Sequence, residues 1–341
     1  MIYVELPERS QLIDRRLGFY LAMEEFLARE YAGKDFFFMW QVDPTVICGR
    51  NQEVELETDL EYCRREGIDV IRRKSGGGCV FADRSNIMFS YICDSTDVTA
   101  TFADYTGKVT LMLRGLGLDA SDNSRNDILI GDRKVSGCAF YHLPSRSIVH
   151  GTMLYDTDMR HIANALTPSK AKLQSKGVKS VKSRITTIKE HLPNLSIEEF
   201  KQHSRQSLCG DRTLVLDEKQ IEKIEALELG YYDPVWTFRD LSLKDRRLQI
   251  ISVESCVEGV GQIKFDISLD AEGKISSVSL YGDFFQLADA EKILNERLRG
   301  VYPTETDLKS ALEKVDLSKI IVGLSETSLI TTLTANMNLS T

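Results

Sequence analysis

The sequence predicts an α+β fold: mixed and antiparallel sheets flanked by helices over residues 1–245, followed by a small separate α+β domain over 246–341. Three observations predict it. Apolar periodicity runs in the order helix–strand–strand–strand–helix, not as a regular alternation of strand and helix. The strand-like stretches "CVFAD" and "NIMFSYIC", between residues 79 and 93, succeed one another so closely that antiparallel pairing is expected in place of a βαβ unit. Finally, Asp233-Pro234 in "GYYDPVWTF" marks a boundary, beyond which a second, shorter series of strands and then helices begins.

Taken in order, residues 10–31 carry apolar side chains at helical spacing (Leu17, Leu21 and Met23 to Leu27), with Ser10 as the expected N-cap. "DFFFMWQV" and "TVICG" read as two strands meeting at Pro44, followed by a helix over Thr58 to Glu66 and a strand "DVIRR". After "KSGGG", the stretches "CVFAD" and "NIMFSYIC" read as strands joined by turn residues Asp83 to Asn86. A helix over Asp104–Leu116 precedes the strands "DILIG", "KVSGCAFY" and "SIVHGTMLYD". From Pro168 to Lys189 periodicity fades and seven Lys or Arg residues accumulate, which suits a long loop, either a solvated face or a mobile cover. Helices over 196–208 and 218–229 complete the large domain. The small domain opens with "LQIISVES", "IKFDISLD" and "ISSVSLYG", the last two joined by an AEGK turn, and closes with helices from Ala288 onward.

Whole-chain properties narrow the partners. With 341 residues, 42% hydrophobic and 28% charged, the chain suits two globular domains. A net charge of −8 argues against nucleic acid as the main partner. No apolar run approaches the roughly 18 residues of a membrane span, and the start lacks a basic leader with an apolar core. No membrane association is therefore expected, and the cytoplasm is the expected compartment. Seven scattered cysteines without a CxxC pair suit free thiols in a reducing compartment, and with five histidines they form no zinc-like spacing.

Three clusters carry chemistry. In "RRKSGGGCVFAD", residues 72–83, three missing side chains permit close approach to the backbone and positive φ, as an anion cradle requires, although SGGG alone also suits a flexible turn. Strand alternation sends Arg72 and Arg73 to opposite faces, so one guanidinium is expected to reach a phosphate there. In "RNDILIGDRKVSGCAFY", alternation puts Lys134, Ser136, Cys138 and Phe140 on one face of a strand and Val135, Gly137, Ala139 and Tyr141 on the other. A lysine just after a turn is otherwise a solvated charge. The third cluster is "VHGTMLYD", where His150 precedes Gly151, a site for close approach or a structural histidine.

Together and in this order, the clusters resemble the lipoate-protein ligase family, whose signature reads approximately RRxSGGGxVFxDxGN, GxKxSGxA and HHGTLL. The matching residues are Arg72 to Asp83 with Asn86, Lys134 to Ala139, and His150 to Thr152; "SKGVKSVKSRIT" resembles the family's lysine-rich loop. Ser85-Asn86 stands where the family has GN, Val149-His150 where it has two histidines, and Ser180 to Arg184 reads SVKSR in place of SVRSR.

The resemblance implies a biotin/lipoate ligase-like catalytic domain with a C-terminal accessory domain. It implies activation of lipoate by ATP to lipoyl-adenylate and transfer to a lysine of a lipoyl carrier domain. The carriers would be acyltransferase subunits of 2-oxo acid dehydrogenases or the glycine cleavage H protein. It further implies Lys134 as the catalytic residue and Arg72, Gly77, Gly78, Cys79, Val80 and Lys134 around ATP. Lys134, Gly76, Ser136 and His150 would meet lipoate, and Asp127, beside Asn126, would meet Mg²⁺ or serve as a capping or turn residue. Loop 170–189 would close over the adenylate. Two rival readings are an ATP-independent acyltransferase using Cys138 or Cys79, and a non-catalytic lipoate or nucleotide sensor. Biotin ligase is a weaker rival, because its GRGRxG loop is absent.

Overall fold

The computed structural model describes residues 1–95, 97–123, 127–157, 159–167, 185–239 and 249–335. These form two compact units: Met1–Cys48, Val54–Lys74 and Cys79–Thr237 make the first, and Gly49–Glu53, Ser75–Gly78 and the chain from Phe238 onward make the second. The strands are β1 (Ile2–Glu5), β2 (Phe36–Trp40), β3 (Thr45–Cys48), β4 (Asp69–Arg72), β5 (Val80–Ala82), β6 (Ile87–Cys93), β7 (Ala120–Asp122), β8 (Asp127–Ile130), β9 (Arg133–Leu143), β10 (Arg146–Met153) and β11 (Thr213–Val215) in the first unit. The second contributes β12 (Gln249–Val257), β13 (Gly261–Leu269) and β14 (Ile275–Gly282). The principal helices of the first unit are α1 (Leu17–Glu30), α2 (Leu60–Glu66), α3 (Val98–Gly115), α4 (Met159–Ala165), α5 (Ile197–Cys209) and α6 (Glu218–Glu228). Those of the second are α7 (Ala290–Leu298), α8 (Glu305–Leu312) and α9 (Glu326–Thr334).

The α+β expectation holds. In the first unit an eight-stranded mixed sheet runs β11-β1-β2-β6-β10-β9-β8-β7, parallel only where β1 meets β11 and β2. A smaller sheet runs β4-β3-β5. Here the expectation of antiparallel succession needs correction. β3 and β4 pair in parallel across α2, a βαβ unit, while β5 joins β3 antiparallel and β6 goes to the large sheet. Spacing alone misled because the turn Asp83–Asn86, closed by Asp83 Oδ1 accepting from the Ser85 amide and hydroxyl, carries the chain from one sheet to the other.

Helix α1 is apolar almost all round and lies in the core, with Phe19, Phe26 and Leu27 at most 2% exposed. It starts at Leu17, not near Ser10, which sits in a separate short turn, Glu8–Gln11. Leu17, Leu21 and Phe26 pack on one face of the large sheet, against Phe36, Phe38, Trp40, Met88 and Ile148. The small sheet's Ile47, Ile71 and Ala82 join the same core. Burying each large apolar side chain here contributes roughly 1.5–3 kcal/mol. The other face of the sheet is covered by α3, which begins at Val98 rather than Asp104 because Asp97 caps it by accepting from the Ala100 amide. Reciprocal capping boxes start α5 at Ser196 and α6 at Asp217, which is why those two helices are readable from sequence.

In the second unit β12, β13 and β14 form an antiparallel meander backed by α7, α8 and α9 around a core of Ile263, Phe265, Leu294 and Leu329. Two excursions of the chain complete it. The Gly282 amide donates to Asn51 O and Gln52 Nε2 to Gly282 O, and Lys264 pairs with Glu53 at 2.9 Å. Arg50 N–H donates to Ser75 O, which ties the two excursions together. Among the described residues, no helix is long and apolar enough to cross a membrane.

Candidate active site

Lys134 stands at the second position of β9, just after a turn in which Gly131 takes a left-handed φ of +60°. Across β8 and β9, Asp127 lies opposite Gly137 and Ile128 opposite Ser136, and then the register slips so that Leu129 meets Lys134. Val135 is the extra residue of a β-bulge. Both neighbouring carbonyls are held: Val135 O accepts from Leu154 N–H at 2.9 Å and Lys134 O from Thr186 N–H at 2.8 Å.

The bulge breaks the period of two, and the expected facing of Lys134 changes with it. The side chain does not share the face of Ser136 and Cys138; it crosses Gly137 on the opposite face. A Cβ built on Gly137 would stand 2.6 Å from Lys134 Cε and closer still to Nζ, where real Cβ atoms keep at least 3.0 Å. Gly137 therefore clears the path of the lysine. Asp127, directly across the ladder, fixes the ammonium with Oδ1 2.7 Å from Nζ; the carboxylate is 7% exposed and the lysine 23%.

His150 lies on β10 opposite Ala139 of β9 and Ser90 of β6. Ala139 is two residues from Gly137, so His150 shares the face of the Lys134 ammonium. Thr152, opposite Gly137, lies on that face too. Glu24 of α1 holds the imidazole, with Oε2 2.9 Å from Nδ1, while its Oε1 accepts from Ser90 Oγ at 2.5 Å. Trp40 Nε1 donates to the same Ser90 oxygen at 2.8 Å, so a buried chain of hydrogen bonds orients the ring. Sequence reasoning did not pick out Glu24, although two adjacent glutamates within the apolar run "LAMEEFLA" were a signal that buried carboxylates have partners.

The basic stem before the glycines is anchored inside the first unit. Arg72, 1% exposed, donates from Nε to the carbonyls of Trp236 and Thr237, and Trp236 Nε1 donates back to Arg72 O. Arg73 Nη1 donates to Ile47 O at 2.9 Å, and burial pushes this guanidinium below its ordinary range. Lys74 pairs with buried Glu25 at 2.6 Å. Burial alone would raise the Glu25 carboxyl, but hydrogen bonds and charge from Lys74 and Arg29 outweigh it and hold it below its ordinary value. Val80 packs against the core shared by α1 and the two sheets.

The glycines themselves, Gly76, Gly77 and Gly78, belong to the second unit. A Cβ on Gly76 would stand 3.2 Å from the Phe284 carbonyl carbon and closer still to its oxygen, and Gly77 takes a φ of +84°. Ser136 is buried on the other face of β9, beside Cys138, whose thiol burial pushes up to about 12. Asn126 and residues 170–184 of the basic loop lie outside the described residues.

Comparison with known proteins gives the family and the fold. The family described as lipoyl protein ligase A/B catalytic domain matches residues 17–209, and that described as bacterial lipoate protein ligase C-terminus matches 255–333. Lipoate–protein ligase 1 of Staphylococcus aureus is 33% identical over 304 residues, 87% of this chain and 90% of the relative. Among solved structures, P. falciparum LipL1 in complex with lipoate shares the fold with a TM-score of 0.77 at 18% identity, over 98% of both chains. The bi-partite lipoate protein ligase of Thermoplasma acidophilum, described with its E2 lipoyl domain, aligns with a TM-score of 0.60 at 26% identity, over 69% of this chain and 94% of that one. A lysine led across a glycine by a bulge, on a sheet of this topology and followed by a matching C-terminal unit, is thus found in a chain that belongs to the lipoate–protein ligase family.

Proposed function

We propose that this enzyme, a ligase, activates lipoate with ATP to lipoyl-adenylate and passes the lipoyl group to one lysine of a lipoyl carrier domain. The observation that carries the reading is the Lys134 ammonium, held across Gly137 by Asp127 on the face shared with His150. Both half-reactions are problems of negative charge. In the first, a lipoate carboxylate oxygen attacks the α-phosphorus of ATP and pyrophosphate leaves; in the second, the carrier's amine attacks the acyl carbonyl and AMP leaves. One fixed ammonium serves both, first between carboxylate and phosphate and then at the oxyanion, because it needs no reorganisation as charge develops.

Arg72, Cys79, Val80 and Lys134 are assigned to ATP, and Lys134 and His150 to lipoate; Ser136, buried on the face away from Lys134, is withdrawn from the lipoate assignment. His150 is suited to its part, being oriented by Glu24 rather than left to rotate. Asp127 is the carboxylate assigned to Mg²⁺. Asp127, with Oδ1 2.7 Å from the Lys134 ammonium, would hold Mg²⁺ as a single protein carboxylate, which suits an ion that takes one or two carboxylates beside substrate phosphates. When bound, Mg²⁺ supplies neutralisation of the phosphate charge. Residues 1–245 form the catalytic part in this reading and 246–341 an accessory part. The carriers are lipoyl domains of 2-oxo acid dehydrogenase acyltransferases and the glycine cleavage H protein, and the compartment is the cytoplasm.

An ATP-independent transfer through Cys138 is disfavoured by its raised thiol and its place on the face away from Lys134. The test is incubation with ATP, Mg²⁺, lipoate and an apo carrier domain, reading carrier mass and pyrophosphate together. The expected result is one pyrophosphate for each lipoylated carrier. Carrier modification without ATP, or no modification with it, overturns the reading.

A further inference from the structure

Cys48 ends β3 and Cys79 immediately precedes β5, two strands paired antiparallel with Ile47 opposite Val80. Continuing that register by one residue sets Cys48 against Cys79. Directly opposed residues of an antiparallel pair have Cα atoms about 4.5–5.5 Å apart, inside the roughly 4.4–6.8 Å that a disulfide spans. The two side chains are already hydrogen-bonded, and Cys79 packs on the cluster that contains Cys48. Cys48 Sγ also lies 3.7 Å from Thr58 Oγ1. On its other side Cys48 pairs with Arg72, and its carbonyl accepts from the Arg73 amide.

We propose that Cys48 and Cys79 are a dithiol modification site that closes reversibly to a disulfide under attack by a small-molecule disulfide. The two thiols differ in a way that suits the two steps. Cys79 is half-buried and meets the oxidant, whereas Cys48 is buried and acts from inside. In the first step the Cys79 sulfur displaces one thiol from the oxidant and forms a mixed disulfide. In the second the Cys48 sulfur attacks Cys79 Sγ and displaces the other, so two protein thiols and one disulfide become one protein disulfide and two small thiols. In the free dithiol the Cys79 hydrogen bond, then Thr58 and the charges of Arg72 and Arg73, outweigh burial and hold the Cys48 thiol below the ordinary 9.0; once Cys79 carries the adduct its S–H is gone, and Thr58, Arg72 and Arg73 are the groups left to favour the attacking Cys48 thiolate. Burial instead pushes Cys63 and Cys209 up to about 11.

Position gives the cross-link a consequence. Cys48 is the last residue before the excursion Gly49–Glu53, and Cys79 is the first after Ser75–Gly78. One bond between them closes the stretch of chain that carries the glycine segment into a covalent loop. The inference does not rest on the ligase reading.

The test exposes the folded full-length protein to oxidised glutathione, alkylates remaining thiols and maps the peptides by mass. A Cys48–Cys79 cross-linked peptide lighter by two hydrogens, lost on reduction, is expected. In Cys48→Ser, Cys79 should remain as a persistent glutathione adduct with no cross-link. Exposed Cys256 reports that the oxidant has acted. Alkylation of both Cys48 and Cys79 in protein whose Cys256 is glutathionylated overturns the proposal. So does a Cys79 adduct equally persistent with and without Cys48.

Discussion

Gly76 and Gly137 are both denied a Cβ by a close neighbour, and the neighbours differ in kind. At Gly76 the obstacle is the backbone carbonyl of Phe284, part of the second unit's own framework. At Gly137 it is the far end of Lys134, a flexible side chain in the first unit that yields at little cost but then points elsewhere. The same residue type thus protects architecture in one place and the aim of a charge in the other. A methyl group added at the first should be felt in stability, and at the second in rate.

Removing the charge itself tests the centre of this contrast. Lys134→Met is expected to slow both adenylate formation and acyl transfer by about 10³-fold, the scale seen when one preorganised electrostatic group is lost. Its unfolding midpoint should stay near the parent's; retained turnover would show that the ammonium is not at the chemistry. Gly137→Ala comes next, with a drop of about 10² in kcat, since a misplacement of about 1 Å costs that much, and with thermal stability little changed. If Gly137→Ala instead unfolds the protein at ambient temperature while the residual folded fraction works normally, the two glycines are alike and the contrast fails.

Gly76→Ala should show the reverse pattern, a loss of about 1–3 kcal/mol in denaturant unfolding because neither the carbonyl nor the new methyl can yield without backbone shift. The smallest effect is expected at Glu25→Gln, about 1 kcal/mol at neutral pH, because its cationic partners are partly solvated. Lys74 and Arg29 hold the Glu25 carboxyl below its ordinary 4.5, so its contribution is fully present above that pH and lost as pH falls through the folded-state value. Parent and variant stabilities should therefore converge in acid; a gap that stays constant down to the acid transition would remove Glu25 from the account.

Much of this was legible in the residues themselves. Capping boxes at Ser196 and Asp217, the apolar run of α1 and the meander of the second unit all depend on neighbours within a few positions, and those local signals agree with the fold. Short strands such as β1, β7 and β11 escaped, because three or four residues carry no measurable period and are strands only by virtue of their partners. The place of β5 and β6 in different sheets escaped for the same reason.

Chain order and residue type by themselves determined the α+β class and the presence of a second unit, and they singled out the lysine and histidine proposed for the chemistry. Only the tertiary structure decided which way they face. A single extra residue at Val135 moves Lys134 from the side of Ser136 to the side of His150, and only the packing of α1 brings Glu24 to the imidazole. The physical reason is that side-chain direction in a strand depends on an unbroken pleat and on the partner across the ladder. Both are set by hydrogen bonds to segments far away in sequence, such as Leu154 and Thr186 at the bulge, which no local pattern encodes.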